Sequence, residues 1–312
     1  MIDGSPVLII DLDGGPEIAL GSVPELFSSV VIGVGSELTP ADLAGVDVLV
    51  AQGDVPGSVA GDLDDLVHRI ERSPDASVLL AQVLRCGGQR STPEALLYES
   101  LAYSTLQGGA VFQRWLSEQA PRAPLDEEGA VFVRLERAAH TLTITLERPE
   151  RRNALGARMR DQLCEALDLA AADPEVVEVV LQGAGSNFSS GGDLHEFGTS
   201  TDPAAAHLVR VARSPAQRLA ALRQATTARI HGACFGAGIE LPSFAGHVVA
   251  DPDTLICLPE IALGLIPGAG GTASIPRRIG RHRTAWLALS GAELRAHDAL
   301  EWGLIDEIAP VP

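Results

Sequence analysis

Two glutamates in apolar surroundings are the residues of this sequence with the most evident chemical potential. Glu240 lies in GACFGAGIELPSF and Glu260 lies in LICLPEIALGLI. A carboxylate is costly to bury unless it is paired, hydrogen-bonded or used in chemistry. Small-residue turns stand beside both, at 236–238 (GAG) and 268–271 (GAGG). Glycine-rich turns let backbone amides approach a ligand, so this stretch predicts proton transfer beside a carbonyl that becomes an oxyanion.

The composition is that of a globular protein without a membrane span. Hydrophobic side chains make up 46% of the 312 residues, but no apolar run is long enough to cross a bilayer. The N-terminus lacks the pattern of a secretory signal, so we expect a cytoplasmic protein. A net charge of −18 argues against nucleic acid or an anionic membrane as a partner. The four cysteines are scattered and the histidines lack metal-ligand spacing, so we expect reduced thiols and no metal.

The elements that must position the two acids alternate between strands and helices, which predicts an α/β fold. The sequence predicts strands at 7–10, 46–51, 131–136, 141–147 and 176–182, of which 131–136 and 141–147 form a hairpin. It predicts helices at 61–72, 75–86, 156–172 and 203–224, and a helical pair over 93–118 that breaks at two glycines. A Pro- and acid-rich connector at 119–130 divides the chain into an N-terminal region, 1–125, and a core, 126–312.

Five segments of the core together resemble the crotonase, or enoyl-CoA hydratase/isomerase, superfamily. They are RPERRNAL (148–155), NFSSGGDLHEF (187–197), HGACFGAGIEL (231–241), LPEIALGLIPGAGGT (258–272) and GAELRAHDALEWGLIDEI (291–308). Each segment alone is a weak signal, but their order and spacing make a specific one. The resemblance implies a crotonase (ClpP-like) spiral core of ββα units, to which this chain adds a mostly helical N-terminal region.

The resemblance also implies a site for an acyl-CoA thioester. The amides of Gly192 and Ala237 would form the oxyanion hole, Glu240 would activate the attacking water, and Glu260 would supply a proton at Cα. For either glutamate, a salt bridge to a nearby arginine is the alternative interpretation. Asp193 is interpreted as a cap or turn former rather than a catalyst. The remaining predicted contacts with the substrate or its CoA are Arg151, Asn153, Ala154, Leu155, Ser190, Gly191, Asp193, Leu194, Gly236 and Gly268.

The implied activity is that of an enoyl-CoA hydratase, which adds water across a 2-enoyl-CoA to give a 3-hydroxyacyl-CoA. We expect no metal or redox cofactor, coenzyme A being part of the substrate, and a homotrimer or a dimer of trimers. ATP and NAD are not implied, because GAGGT lacks the lysine of a nucleotide-binding loop and no strand-linked Gly-x-Gly-x-x-Gly is present. The alternatives are an enoyl-CoA isomerase, a hydrolase or a cofactor-independent oxygenase on the same scaffold, or a non-catalytic acyl-CoA-binding homologue.

Two departures from the family's pattern accompany the resemblance. Pro242 follows Glu240 closely, so we expect the helix there to begin near Gly238 or Ile239, which keeps the proline in the first turn. The family's usual C-terminal helices, which cover the active site, do not follow the last matching segment. Residues 65–85 and 94–118 resemble those helices, and 35–56 aligns without a gap on 291–312. We hypothesise that 35–120 is a displaced copy that packs over the acyl-CoA site of its own or a neighbouring subunit. The alternative is an unrelated helical extension used for assembly.

Overall fold

The N-terminal part begins with a small parallel sheet that the sequence predicts only in part. The computed structural model describes residues 5–13, 28–35, 45–51, 59–120 and 129–311. Three strands lie in it, β1 (Val7–Asp11), β2 (Val30–Val34) and β3 (Val48–Val50), and they pair in parallel in that order. The predicted strands at 7–10 and 46–51 are confirmed. The sequence analysis misses β2, because a short continuous apolar run can belong to a strand or to a buried helix.

Four helices follow where the sequence predicts them. They are α1 (Leu63–Arg72), α2 (Pro74–Gly87), α3 (Thr92–Gln107) and α4 (Ala110–Glu118). A capping box formed by Ser91 and Glu94 starts α3, with Pro93 in its first turn, and Gly108 ends it. Most of the predicted connector, and residues 36–44 and 52–56 of the proposed repeat, lie outside the described residues. The boundary and the repeat therefore stay predictions.

A six-stranded sheet is the frame of the core. Its strands are β4 (Val133–Ala138), β5 (Thr141–Leu146), β6 (Glu178–Gly183), β7 (Thr226–Ile230), β9 (His247–Ala250) and β12 (Glu307–Ile308). They are arranged in the order β12-β9-β7-β6-β5-β4, with the predicted β4–β5 hairpin antiparallel and the other pairs parallel. A second sheet contains β8 (Ala233–Phe235), β10 (Leu255–Cys257) and β11 (Leu294–Arg295), in the order β11-β10-β8.

Helices and short 3₁₀ turns connect these strands. The helices are α5 (Ala157–Ala172), α6 (Pro203–Ala212), α7 (Pro215–Ala221), α8 (Ala237–Glu240), α9 (Gly271–Ser274), α10 (Pro276–Ser290) and α11 (Ala296–Trp302). The 3₁₀ turns are Pro149–Arg151, Arg223–Ala225, Pro242–Phe244 and Glu260–Leu263. Met159, Leu163 and Leu167 recur at helical spacing on α5 and are fully buried where this helix packs on β4 and β5. No helix in the described ranges is both long and apolar enough to cross a bilayer.

Proline positions explain two differences from the predicted helices. The predicted helix at 203–224 is broken into α6 and α7, because Pro215 has no amide to donate and the Ser214 hydroxyl caps the new start, accepting from the Gln217 amide at 3.2 Å. Near the first glutamate, α8 begins at Ala237, slightly earlier than predicted. It makes only about one turn before Pro242 starts a 3₁₀ segment.

Asp47 joins the N-terminal sheet to helices from both parts of the chain. Its side chain is only 2% exposed, and one of its oxygens accepts from the Val31 amide of β2 at 2.8 Å. Arg85 of α2 binds both carboxylate oxygens, and it also donates to the Ser29 carbonyl at 2.9 Å. Arg281 of α10 lies 3.7 Å away. One buried carboxylate therefore links β2, α2 and α10.

Replacing Asp47 with alanine should lower the free energy of unfolding by about 3 kcal/mol, because Arg85 then loses a buried partner. Urea denaturation followed by circular dichroism would measure the change. The matched control is Asp65→Ala, which removes an exposed carboxylate paired with Arg69. That control should cost less than about 1 kcal/mol. Equal effects of the two substitutions would contradict the central role given to Asp47.

Candidate active site

Two backbone amides at the predicted oxyanion positions are available to a ligand. Among the described residues, neither the Gly192 amide nor the Ala237 amide has a hydrogen-bond acceptor. Both residues line one cavity. The segment that carries Gly192 is held against the start of α8, because the Phe235 amide donates to the Ser189 carbonyl at 3.1 Å. This arrangement could bind a carbonyl oxygen on which negative charge develops.

Glycine is required at two positions beside these amides. Gly191 has φ +91°, and a Cβ there would lie 2.7 Å from the Phe235 carbonyl oxygen. Gly236 has φ +49°, and its Cβ would lie 2.3 Å from Oε1 of Glu260 and 3.8 Å from Oε1 of Glu240. Any larger residue would therefore be strained and would also collide with its neighbours. The missing side chain at Gly236 leaves room for both carboxyl groups around one backbone position.

Glu240 is held at the end of α8 by the glycine-rich turn that follows Gly268. The residue is 2% exposed, and its Oε2 accepts hydrogen bonds from the Ala269 amide at 2.7 Å and the Gly271 amide at 2.8 Å. Burial raises its pKa well above the usual range, and the neighbouring Glu260 carboxylate adds to the rise. The two amides oppose that rise, because they stabilise the ionised form. No arginine pairs with Glu240 among the described residues.

Glu260 opens a 3₁₀ turn on the other side of Gly236 and has a different environment. Its Oε2 is buried without a hydrogen-bond partner among the described residues. Burial raises the pKa of Glu260 to about 8, and the Glu99 carboxylate adds to the rise. The ion pairs that the structure describes do not include this glutamate, so the salt-bridge interpretation has no support here. A protonated carboxylic acid is the form that this apolar setting favours.

Glu99 is a third buried carboxyl group at the site, and the sequence analysis misses it. It comes from α3 in the N-terminal part and is 2% exposed. Its oxygens accept from the Gly270 amide at 2.7 Å, the Thr272 amide at 2.9 Å and the Thr272 hydroxyl at 2.7 Å. Burial raises its pKa to about 7. A signal existed, because Glu99 shares the apolar helical face of Ala95 and Leu106.

The three carboxyl groups face a cavity of about 500 Å³ whose walls come from both parts of the chain. Apolar or aromatic side chains in the lining include Leu96, Leu97, Tyr103 and Phe112 from α3 and α4, and Leu155, Phe197, Val209 and Leu241 from the core. Glycines and alanines, Gly268 among them, and polar side chains such as Arg160, Arg213 and Gln217 also line it. The cavity is therefore an apolar pocket with a few convergent polar groups, which is typical of a small-molecule site.

Arg210 fastens α6 to α3 at one side of this cavity. Its guanidinium donates to the hydroxyls of Ser100 and Ser104, each at 3.0 Å, and lies 4.4 Å from the centre of the Tyr103 ring. The Tyr103 ring in turn packs so closely on Gly268 that a Cβ at that glycine would lie 2.4 Å from it. Burial raises the pKa of Tyr103, so its phenol stays protonated. The sequence analysis predicts neither Arg210 nor Tyr103 as a site residue.

Asp193 is an ion-pair centre in the loop that carries Gly192. Its oxygens accept from Arg148 at 2.7 Å, from Arg151 at 2.8 Å and from the His195 amide at 2.9 Å. Burial alone would raise the pKa of Asp193, but the His195 amide and the two guanidinium groups outweigh it and lower the pKa. These contacts fit the interpretation of Asp193 as a residue that shapes the loop. They also occupy part of the Arg151 guanidinium, which the sequence analysis assigns to the CoA.

The other residues predicted to contact CoA are placed around the same loop. Asn153 is fully buried, and its side chain donates to the carbonyls of Ala184, Asn187 and Phe188, so only its backbone could meet a ligand. Leu155 and Gly268 line the cavity. The remaining three are Ala154, which is buried, Leu194, which is exposed, and Ser190, whose amide donates to the Arg152 carbonyl at 2.9 Å. The predicted contacts of all these residues with CoA stay predictions.

Comparisons with known proteins match the core of the chain. The profile of the family described as Enoyl-CoA hydratase/isomerase matches residues 136–312. The 2,3-dehydroadipyl-CoA hydratase of Escherichia coli K12 is 35% identical over 176 residues, which cover 56% of this chain and 68% of that protein. YhaR of Bacillus subtilis 168, named as an enoyl-CoA hydratase/isomerase, is 35% identical over 164 residues. Those residues cover 52% of this chain and 64% of YhaR, somewhat less than two thirds of its length.

Solved structures give the same result. The enoyl-CoA hydratase of Thermoplasma volcanium is 34% identical, with a TM-score of 0.52 over 57% of this chain and 71% of its own. The enoyl-CoA hydratase of Bacillus anthracis is 30% identical, with a TM-score of 0.54 over 58% of this chain and 71% of its own. The predicted crotonase fold of the core is thereby confirmed. Because the family profile spans more than half of the sequence, this chain belongs to the enoyl-CoA hydratase/isomerase family within the crotonase superfamily.

Proposed function

We propose that this protein is an enoyl-CoA hydratase, which converts a 2-enoyl-CoA into a 3-hydroxyacyl-CoA. The observation that carries the proposal is the meeting of two glutamates with two backbone amides that have no acceptor among the described residues, all at one cavity. Glu240 is buried, and Oε2 of Glu260 is buried. Hydration needs a base that activates water, an acid that protonates Cα and donors for the thioester oxygen. All three requirements have candidates here, and the names of the relatives agree with the reaction class.

The two amides have the task of stabilising the enolate. As water attacks Cβ, the electron pair of the double bond moves towards the thioester carbonyl, whose oxygen becomes negative. The amides of Gly192 and Ala237 would bind this oxygen, and one such donor typically lowers the activation barrier by about 3 kcal/mol. Because both residues are held in place by the contacts around Gly191 and Phe235, the donors are oriented before substrate binds.

The different environments of the two glutamates support different roles. Two amides donate to Oε2 of Glu240, which offsets part of the rise in its pKa and fixes the orientation of the carboxyl group, as a base that removes a proton from water requires. Oε2 of Glu260 is buried without a donor in the part of the chain that the structure describes, which favours the protonated form and suits the acid at Cα. In the reaction, the proton from water goes to Glu240 while Glu260 gives its proton to Cα. A proton exchange then restores the starting state.

The N-terminal region is proposed to complete this site within the same chain. Helices α3 and α4 supply one wall of the cavity, and Arg210 fastens α6 to α3 there. These contacts support the hypothesis that residues 94–118 cover the acyl-CoA, as the family's C-terminal helices do. We further propose a cytoplasmic homotrimer or dimer of trimers, with no cofactor beyond the CoA of the substrate. Multi-angle light scattering would test the assembly.

Glu240→Gln and Glu260→Gln should each lower the turnover of crotonyl-CoA by about 10²- to 10⁴-fold, because each removes one proton-transfer group. The loss of the enoyl-thioester absorbance measures the rate, and a longer 2-enoyl-CoA assayed in parallel ranks chain length. Glu165→Gln, at an exposed position of α5, is the matched control and should keep wild-type turnover. Absence of hydration by the wild-type protein while acyl-CoA still binds would shift the assignment to isomerase, hydrolase or oxygenase chemistry.

The kcat/KM for crotonyl-CoA should fall as the pH rises through about 8. The pKa of Glu260 in the free protein is raised to about 8, so its acid form is present below that pH and is lost above it. A pH profile of kcat/KM would measure this limb, and the residual rate of Glu260→Gln should lack it. A wild-type rate that keeps rising from pH 8 to pH 9 would show that Glu260 is not the acid.

A further inference from the structure

We propose that Glu99 of the N-terminal helix α3 is a positioning residue for Glu240, acting through the turn from Ala269 to Thr272. The inference deepens the proposed function and rests on it, since Glu240 is the proposed base. It gives the N-terminal region a part in the chemistry as well as in covering the substrate.

Four consecutive backbone amides of the turn donate hydrogen bonds alternately to Glu240 and Glu99. The amides of Ala269 and Gly271 donate to Oε2 of Glu240, whereas those of Gly270 and Thr272 donate to the two oxygens of Glu99. Adjacent amides that serve different acceptors cannot move independently, because one short backbone segment carries them all. A shift of Glu99 would therefore displace the donors that fix Glu240.

A second backbone conformation of the turn is disfavoured, because the turn is closely packed. A Cβ at Gly271 would lie 2.7 Å from Cγ of Glu240, and one at Gly270, where φ is +109°, would lie 2.5 Å from the Phe244 ring. The Thr272 hydroxyl adds a third donor to Glu99 at 2.7 Å. Glu99 therefore holds the turn from the α3 side, while Glu240 occupies its other side.

Electrostatics links the same groups. The ionisable groups around Glu99 are Glu240 at the end of α8, Glu260 in its 3₁₀ turn, Tyr103 on α3 itself and Arg210 on α6. The Glu99 carboxylate contributes to the raised pKa of both Glu240 and Glu260. Removing its charge should lower the pKa of Glu260, because a nearby negative charge disfavours ionisation.

The test is Glu99→Gln in the full-length protein, assayed with crotonyl-CoA. A glutamine offers one acceptor oxygen where the turn has donors for two, so the turn should shift. We expect kcat to fall by about 10- to 100-fold with KM changed less than about threefold, because the base is misplaced while substrate contacts remain. The high-pH limb of kcat/KM should also move to lower pH. The matched control is Glu71→Gln at an exposed position of α1, which should leave both readouts unchanged.

A second pair of variants covers the case in which Glu99→Gln does not fold. Thr272→Val removes the hydroxyl donor but keeps the amide, whereas Thr272→Ser keeps both. Lower kcat in the valine variant than in the serine variant would support the inference, because valine removes a donor from Glu99 without removing its charge. Equal kcat for these two, or wild-type behaviour of a folded Glu99→Gln, would overturn it.

One measurement keeps this inference separate from the hydratase assignment. Carboxyl carbon NMR of labelled glutamate follows the titration of Glu240, whose signal is identified by its loss in Glu240→Gln. The pKa of Glu240 should be higher in Thr272→Val than in Thr272→Ser, whether or not crotonyl-CoA is hydrated, because a displaced turn weakens the two amide donors that stabilise the ionised carboxylate. An unchanged titration would overturn the coupling even in an active hydratase. A shifted titration without hydration would preserve the coupling and reject only the proposed function.

Discussion

The burial of three carboxyl groups beside one another is the constraint on which the rest of the site depends. Like charges at this distance resist ionisation in a medium of low polarity, so fixed dipoles must oppose their repulsion. The glycine-rich turn supplies those dipoles as backbone amides, to Glu240 on one side and to Glu99 on the other. Glycine is needed in the turn because a Cβ at Gly271 would meet the side chain of Glu240. The small residues of the turn and its exposed amides are therefore what allows these carboxyl groups to be placed side by side.

Charged contacts elsewhere in the fold hold the elements around this site in position. Asp47 connects the N-terminal sheet with α2 and α10, and Arg210 connects α3 with α6. Asp47 binds groups of several elements and Arg210 of α6 binds groups of α3, so each fixes the relative position of elements as well as adding stability. The apolar packing of α5 on the six-stranded sheet is less specific, since it orients a helix without fixing any single polar atom. Polar contacts between elements therefore determine how those elements are positioned relative to one another.

The sequence predicts which residues could carry out chemistry better than it predicts which residues contact one another. Glu240 and Glu260 can be found from the sequence because acids in apolar runs are unusual, and periodicity predicts α1 to α5 correctly. The break at Pro215 was open to prediction from the proline alone, whereas β2 has a pattern that strands and buried helices share. Glu99 could have been noticed from its helical face. Its partners could not, because they lie 171 and 173 residues further along the chain. No local pattern contains such a pairing.

That separation of Glu99 from its partners has a consequence for biosynthesis. A ribosome completes α3 long before it reaches Thr272. The donors of the Glu99 carboxyl group are therefore absent until most of the chain has been synthesised. During that interval Glu99 can remain hydrated only if α3 stays undocked. Contacts this distant in sequence also close slowly, because the entropy of a long loop is lost before any hydrogen bond forms. Docking of α3 on the glycine-rich turn should therefore be a late event in folding.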